Sequence, residues 1–211
     1  QLGIPQVNYL PIQNYDLNNK NDLNQIKEKI KRKLHYPLFV KPSNSGSSLG
    51  ISKVKDTLHL ENALKKASKI DPRLVIEEGL EVREFECGII GRSTFETSKI
   101  GEINYSSEWY DYESKYFSKN RISIPAKIDQ ELGKTIQELT IKSCRALNIS
   151  GFARADFFVE NRTKKVFLNE INTIPGFTKK SMFPMLWESS GLKIDRLVAR
   201  LIDDAIDSKI L

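Results

Sequence analysis

The chain has 211 residues, 39% of them hydrophobic, which is enough for one large core or two small ones. No apolar run approaches the ~20 residues of a membrane helix and no charged-then-apolar leader opens the chain, so a soluble, cytoplasmic protein with no membrane partner is expected. The formal charge of +6 is compatible with nucleic acid, an anionic small molecule or plain solubility, while Cys87 and Cys144 stand too far apart for a metal site or a disulfide framework.

The chain begins at Gln1 rather than Met, and residues 3–7 read as a strand entering a folded body, so a segment upstream is expected to have been removed. A helix is predicted over 22–34, where Leu23, Ile26, Ile30 and Leu34 recur at spacings of three and four. The basic run 27–33 is then a solvated helix face rather than a nucleic-acid patch. A strand over 37–42, a Ser/Gly loop and a strand over 50–54 follow. Asp56 caps the next helix, which places Leu60, Ala63, Leu64, Ala67 and Ile70 on one face. The run Leu74-Val75-Ile76-Glu77-Glu78-Gly79-Leu80 is an apolar strand ending in two carboxylates and a glycine, the composition of a hinge between two subdomains.

Strands over 85–91 and 94–104 pair around a Gly-Arg-Ser turn and open a second, mostly antiparallel subdomain. Residues 105–121 are polar but crowded with Trp109, Tyr110, Tyr112, Tyr116 and Phe117, which suits a lid better than a linker. A helix over 129–147 buries Leu132, Ile136, Leu139 and Cys144, with Gly151 just beyond it. Strands over 151–160 and 165–171 are followed by a helix starting near Ser181 and another over 195–206. There is no internal repeat.

The last two strands carry chemistry. Alternation puts Arg154, Asp156 and Phe158 on one face, and Val166, Leu168, Glu170 and Asn172 on one face of the neighbour. A hairpin register that sets Asp156 opposite Glu170 also sets Arg154 opposite Asn172. Two carboxylates ~5 Å apart repel unless a cation lies between them or one is protonated. Magnesium bound by Asp156, Glu170 and Asn172 satisfies them, with positions left for water and phosphate; a structural ion pair with Arg154 is the other reading. The turn from Asn172 through Pro175-Gly176 to Ser181 can hold an anion such as a carboxylate. Earlier, a buried strand delivers Lys41 to the loop 43–48, where small residues let backbone approach phosphate. No GxxxxGK[ST] pattern is present and a strand follows, so this is a hairpin flap or a plain hairpin turn, not a P-loop.

The strings VKPSNSGSSLGISKV (40–54), IEEGLEVREFECGIIG (76–91), YDYESKY (110–116), GFARADFF (151–158) and NEINTIPGFTKKSMFPMLWESSG (169–191) closely resemble D-alanine-D-alanine ligases, nearly end to end. The resemblance implies an α+β ATP-grasp fold whose two subdomains, 1–80 (nucleotide-binding, with the phosphate flap) and 81–211 (catalytic), clasp ATP. It makes Lys41 a phosphate ligand and Ser47 part of the flap that meets Tyr116 of the lid, with Lys115 also binding nucleotide. Glu77, Glu78 and Leu80 would line the adenine pocket and Glu84 would take the ribose hydroxyls. Asp156, Glu170 and Asn172 match the ligands of magnesium or manganese, two ions in all, with Glu170 bridging. Arg154 and Gly176 would stabilise the reacting acyl group, and Ser181 would bind the carboxylate of the second D-alanine.

The implied reaction is ATP-dependent joining of two D-alanines through an acyl phosphate, a step of peptidoglycan precursor synthesis, by an enzyme that is a homodimer when full length. Family members carry an upstream substrate domain that is absent here, so the chain alone is expected to be inactive. The string Leu80-Glu81-Val82-Arg83-Glu84 lacks the glycine that many members place before the ribose glutamate. Two alternatives remain open. One is another ATP-grasp ligase, including a D-alanyl-D-lactate ligase, against which Tyr116 argues. The other is a basic nucleic-acid module, against which Glu108, Asp111 and Glu113 among the aromatics argue.

Overall fold

The computed structural model describes residues 2–13, 15, 17–44, 48–104 and 121–207. Contacts divide them into two compact units, one made of residues 7–81 and the other of residues 2–6, 82–104 and 121–207.

In the first unit, β1 (Tyr9–Ile12), β2 (Leu38–Pro42), β3 (Ser52–Val54) and β4 (Leu74–Glu78) form an antiparallel sheet in the order β1-β4-β2-β3. Helices α1 (Lys20–Lys33) and α2 (Thr57–Ser68) supply its core. Each helix starts where a side chain satisfies an orphan amide: Asn19 accepts from Asn21 N at 2.9 Å and Asp56 accepts from Leu58 N at 2.9 Å. Asp22 in the first turn of α1 and Lys31, Arg32 and Lys33 in its last suit the helix dipole. Leu23, Ile26, Ile30, Leu60, Ala63, Leu64 and Ala67 are buried against Leu10, Ile12, Leu38, Val40, Leu74 and Ile76. Alternation therefore sends Phe39, Lys41, Val75 and Glu77 to the opposite sheet face. Ile70 falls outside this packing because α2 ends at Ser68, and it is 38% exposed.

The strand expected over 3–7 does not form. Pro5 lacks a ladder donor and Gly3 has φ +63°, so the segment instead crosses to the second unit, where Leu168 N donates to Pro5 O at 2.8 Å.

The second unit holds the antiparallel sheet β7-β6-β5-β8-β9, with β5 Val82–Gly91, β6 Phe95–Asn104, β7 Arg121–Ser123, β8 Gly151–Glu160 and β9 Val166–Asn172. Helix α3 (Gln130–Ala146), capped by Asp129, covers one face and buries Ile136 against Phe85, Cys87, Ala155, Phe157 and Val159. Its end is marked by Asn148 at φ 51°, before Gly151 is reached. On the other face, α4 (Met182–Ser189) and α5 (Ile194–Asp207) pack Phe183, Trp187 and Leu197 against Ile90 and Phe152. Both thiols are buried and unpaired, and burial pushes Cys87 up to about 12 and Cys144 to about 11. Among the described residues no helix is long and apolar enough to cross a membrane.

Candidate functional site

The β8–β9 hairpin has the expected register at its far end, with Arg154 opposite Asn172 and Asp156 opposite Glu170. One step toward the turn the pairing slips, and Phe157 faces Leu168. Asn169 is thus the extra residue of a β-bulge. This corrects the expected alternation of β9. Val166 and Leu168 join the core beneath α3, whereas Glu170 and Asn172 share the opposite face with Arg154 and Asp156.

On that face Arg154 Nε donates to Asp156 Oδ1 at 2.7 Å and Nη2 donates to Asp156 Oδ2 at 2.7 Å. Asn172 Nδ2 donates to Asp156 Oδ2 at 3.1 Å and to Glu170 Oε1 at 3.2 Å. The structure adds a residue that the sequence reading passed over. Glu86 on β5 lies opposite Asp156 in the sheet, and its Oε2 stands 2.8 Å from Arg154 Nε. Its signal was the alternation Glu84-Phe85-Glu86-Cys87, which puts both glutamates on the face away from α3. Glu84 occupies that face two residues earlier, opposite Phe158.

Asp156 is 3% and Glu86 4% exposed, so both carboxyls have left water. Burial pushes Asp156 up to about 6 despite the pull of Arg154. Burial first, and then the charge of Asp156, pushes Glu86 well above the usual carboxylate range. Burial works to lower Arg154, but hydrogen bonds to Asp156 and the charges of Asp156, Glu86 and Glu170 outweigh it and raise its value. Glu170 is exposed at the edge of the cluster. Among the described residues no three His, Cys, Asp or Glu side chains are arranged to cage a metal.

The chain leaving β9 folds back around Ser181, whose Oγ accepts from Thr178 N at 3.1 Å and lies 2.9 Å from Thr178 Oγ1. Ser181 opens α4 without capping it through its side chain. Gly176 packs on the same hydroxyl, and a Cβ there would come within 2.9 Å of Ser181 Oγ. Phe177 pins the loop against Phe152 and Phe183, with ring centroids 6.0 and 5.7 Å away.

In the first unit Lys41 forms an ion pair with Glu77 on the face away from the helices. Glu78 turns the other way, where Asn8 Nδ2 donates to Oε2 at 3.0 Å and His35 Nδ1 lies 3.3 Å from Oε1. Leu80 is half-buried just beyond Gly79, whose N–H donates to Pro37 O at 2.7 Å. Ser47, Lys115, Tyr116 and the lid segment 105–120 lie outside the described residues.

The D-ala D-ala ligase C-terminus family matches residues 1–203. The chain belongs to the D-Ala-D-Ala ligase family. Its similarity within that family is high: a D-alanine--D-alanine ligase of Prochlorococcus marinus strain MIT 9301 is 65% identical over 204 residues, which is 97% of this chain and 58% of that protein. The corresponding ligase of strain MIT 9515 is 63% identical over 207 residues, 98% of this chain and 58% of that protein. The chain spans 58% of the length of these curated ligases. Among solved structures, a D-Ala:D-Ser ligase from Enterococcus faecalis superposes with a TM-score of 0.84 at 33% identity, over 96% of this chain and 57% of that one. The D-alanine-D-alanine ligase of Coxiella burnetii gives 0.81 at 33% identity, over 98% and 53%. The ligase-family fold is α+β, of the ATP-grasp type.

Proposed function

We propose that this chain carries the nucleotide-binding and catalytic residues of an ATP-dependent, magnesium-dependent ligase that joins two D-alanines into D-alanyl-D-alanine for peptidoglycan precursors. The observation that carries this reading is the clustering of Arg154, Asp156, Glu170 and Asn172 on one sheet face, continuous with the Gly176–Ser181 loop. Identity of 65% to a D-alanine--D-alanine ligase supports D-alanine as the second substrate over D-serine or D-lactate.

The donor set fits a hard divalent ion. Two carboxyl groups and an amide offer oxygen ligands, with Arg154 against Glu86 and Asp156 and Asn172 against Glu170. Asp156, Glu170 and Asn172 would hold magnesium or manganese, with Asn172 presenting its amide oxygen in place of the nitrogen. The same residues would hold two such ions, with Glu170 contributing to both. The ions neutralise phosphoryl oxygens when bound.

The remaining work falls to the chain. Lys41, drawn from Glu77, places a positive charge on the ATP phosphates, while Glu77, Glu78 and Leu80 hold adenine and Glu84 the ribose. The carboxylate of the first D-alanine attacks the γ-phosphorus and ADP leaves. The amine of the second D-alanine then attacks the acyl carbon and phosphate departs. Arg154 and the Gly176 N–H meet the oxyanion as it develops, and the Ser181 hydroxyl orients the second carboxylate. Ser47, Lys115 and Tyr116 serve the flap and lid. The full-length enzyme is a homodimer acting on small molecules, without nucleic acid.

The test is phosphate release by the full-length protein with Mg-ATP and D-alanine, alone and with D-lactate or D-serine as second substrate. D-alanyl-D-alanine is the expected product. Preference for a mixed product would transfer the chain to a neighbouring ligase specificity, and salt-sensitive retention on DNA without any response to ATP would overturn the enzyme reading.

A further inference from the structure

Glu86 is a buried carboxylate on the site face to which the reaction above gives no task. Its strand neighbours are Asp156 on β8 and Gly101 on β6. Met182 and Leu186 of α4 close over Gly101, where a Cβ would come within 3.1 Å of Met182 Sδ and 2.9 Å of Leu186 Cδ2. The glutamate is sealed at 4% exposure, a costly place for a carboxylate that does nothing.

Its geometry suggests what it does. Glu86 Oε2 lies 2.8 Å from Arg154 Nε but accepts no hydrogen bond among the described residues. The Nε–H is aimed at Asp156 Oδ1, 2.7 Å away. A buried acceptor beside a guanidinium whose donor is engaged elsewhere marks a second place for that donor to go. Asp156 has both oxygens bound by Arg154, and these are the oxygens that a divalent ion would need.

We propose that Glu86 is a positioning residue that takes over Arg154 when Asp156 turns its oxygens to a divalent cation, a proposal that rests on the metal-site reading given above. Handing the Nε–H to Glu86 frees Asp156 while a buried acceptor oxygen keeps the guanidinium on the site face, its Nη groups directed to the acyl group. Without Glu86 the cation must compete with Arg154 for Asp156, and a displaced Arg154 has no fixed seat.

The test compares Glu86→Leu, Glu86→Gln and Asp156→Asn in the full-length protein, reading thermal midpoint, kcat and KM, and Mn2+ affinity in the presence of a non-hydrolysable ATP analogue by electron paramagnetic resonance. Replacing a buried, unsatisfied carboxyl group by an apolar side chain of similar volume leaves the thermal midpoint of Glu86→Leu level or raised. Its kcat falls ~100-fold with KM within ~3-fold, and Mn2+ affinity falls ~10-fold. Glu86→Gln, which keeps an acceptor oxygen without the charge, lies between Leu and the parent. Unchanged kcat in both Glu86 variants, or losses that only follow the folded fraction, would overturn the proposal. So would parental Mn2+ affinity in both Glu86 variants alongside a loss in Asp156→Asn, which leaves the metal site standing without a role for Glu86. Parental Mn2+ affinity in Asp156→Asn would remove the metal reading itself, and this proposal with it.

Discussion

Asp156 and Glu170 face each other across β8 and β9, and the next pair toward the turn, Phe157 with Leu168, skips Asn169. The bulge lets Leu168 and Ile171 both reach the α3 side while Glu170 stays on the other. Removing Asn169 would restore simple alternation without moving any apolar side chain to the wrong face. The Asn169 deletion is therefore expected to fold with a stability loss of about 1 kcal/mol or less by urea unfolding. Mn2+–nucleotide affinity should fall ~10-fold, because a bulge sets local twist and re-aims the side chain beside it. A deletion variant that fails to fold would show that Asn169 has a packing role beyond the bulge.

Glu170→Gln separates binding from folding. Glu170 is exposed, so its replacement should alter stability by no more than ~0.5 kcal/mol. Mn2+–nucleotide affinity should drop at least ~10-fold. Isothermal titration of the full-length protein, beside a thermal melt, checks both.

Asp156 makes stability depend on pH in an unusual direction. Its folded carboxyl is pushed up to about 6 from an ordinary 3.8, so between those values the folded state holds a proton that the unfolded chain has released. The contribution of Asp156 therefore declines as pH rises through that window and is level above it. Urea midpoints of the parent and Asp156→Asn, taken from pH 4 to 7, should show a difference that changes in this range. A difference independent of pH would count against the buried, raised carboxyl.

Gly176→Ala would drive a methyl group to 2.9 Å from Ser181 Oγ. The expected cost is ~1–3 kcal/mol of stability, with a raised KM for the second substrate. In a Ser181→Ala background the obstructing oxygen is gone, and the same substitution should cost clearly less. A double-mutant cycle with no coupling would place the two residues in separate loops.

Much of this was legible in the sequence, for identifiable reasons. Period-2 alternation put Arg154 and Asp156 on one face, and the register that sets Asp156 opposite Glu170 also set Arg154 opposite Asn172, as found; apolar spacing located α1, and the Asp56 cap located α2. The bulge was hidden because an inserted Asn looks like any other strand residue, and the expected faces of Val166 and Leu168 were wrong for that reason alone. Glu86 was hidden because one carboxylate in a strand has no local sign of burial; α4, nearly a hundred positions later, packs over its sheet neighbour Gly101. The strand expected over 3–7 failed because Gly3 takes a positive φ and Pro5 has no N–H for a ladder, although Pro5 O still accepts from Leu168 N of β9.

That early segment has a consequence for synthesis on the ribosome. Residues 7–81 can complete their own sheet as soon as β4 has emerged, since β1 and β4 pair directly. Pro5 must wait for Leu168. The second unit thus gains residues 2–6 only once β9 has been made, and the first unit is an excursion whose two ends, beside Tyr9 and Glu77, meet as soon as β4 pairs with β1. Vectorial folding would hold that excursion as a finished loop while the rest of the chain is still being made. A gene in which residue 6 is joined to residue 82 by a short linker should still yield the second unit as a folded body.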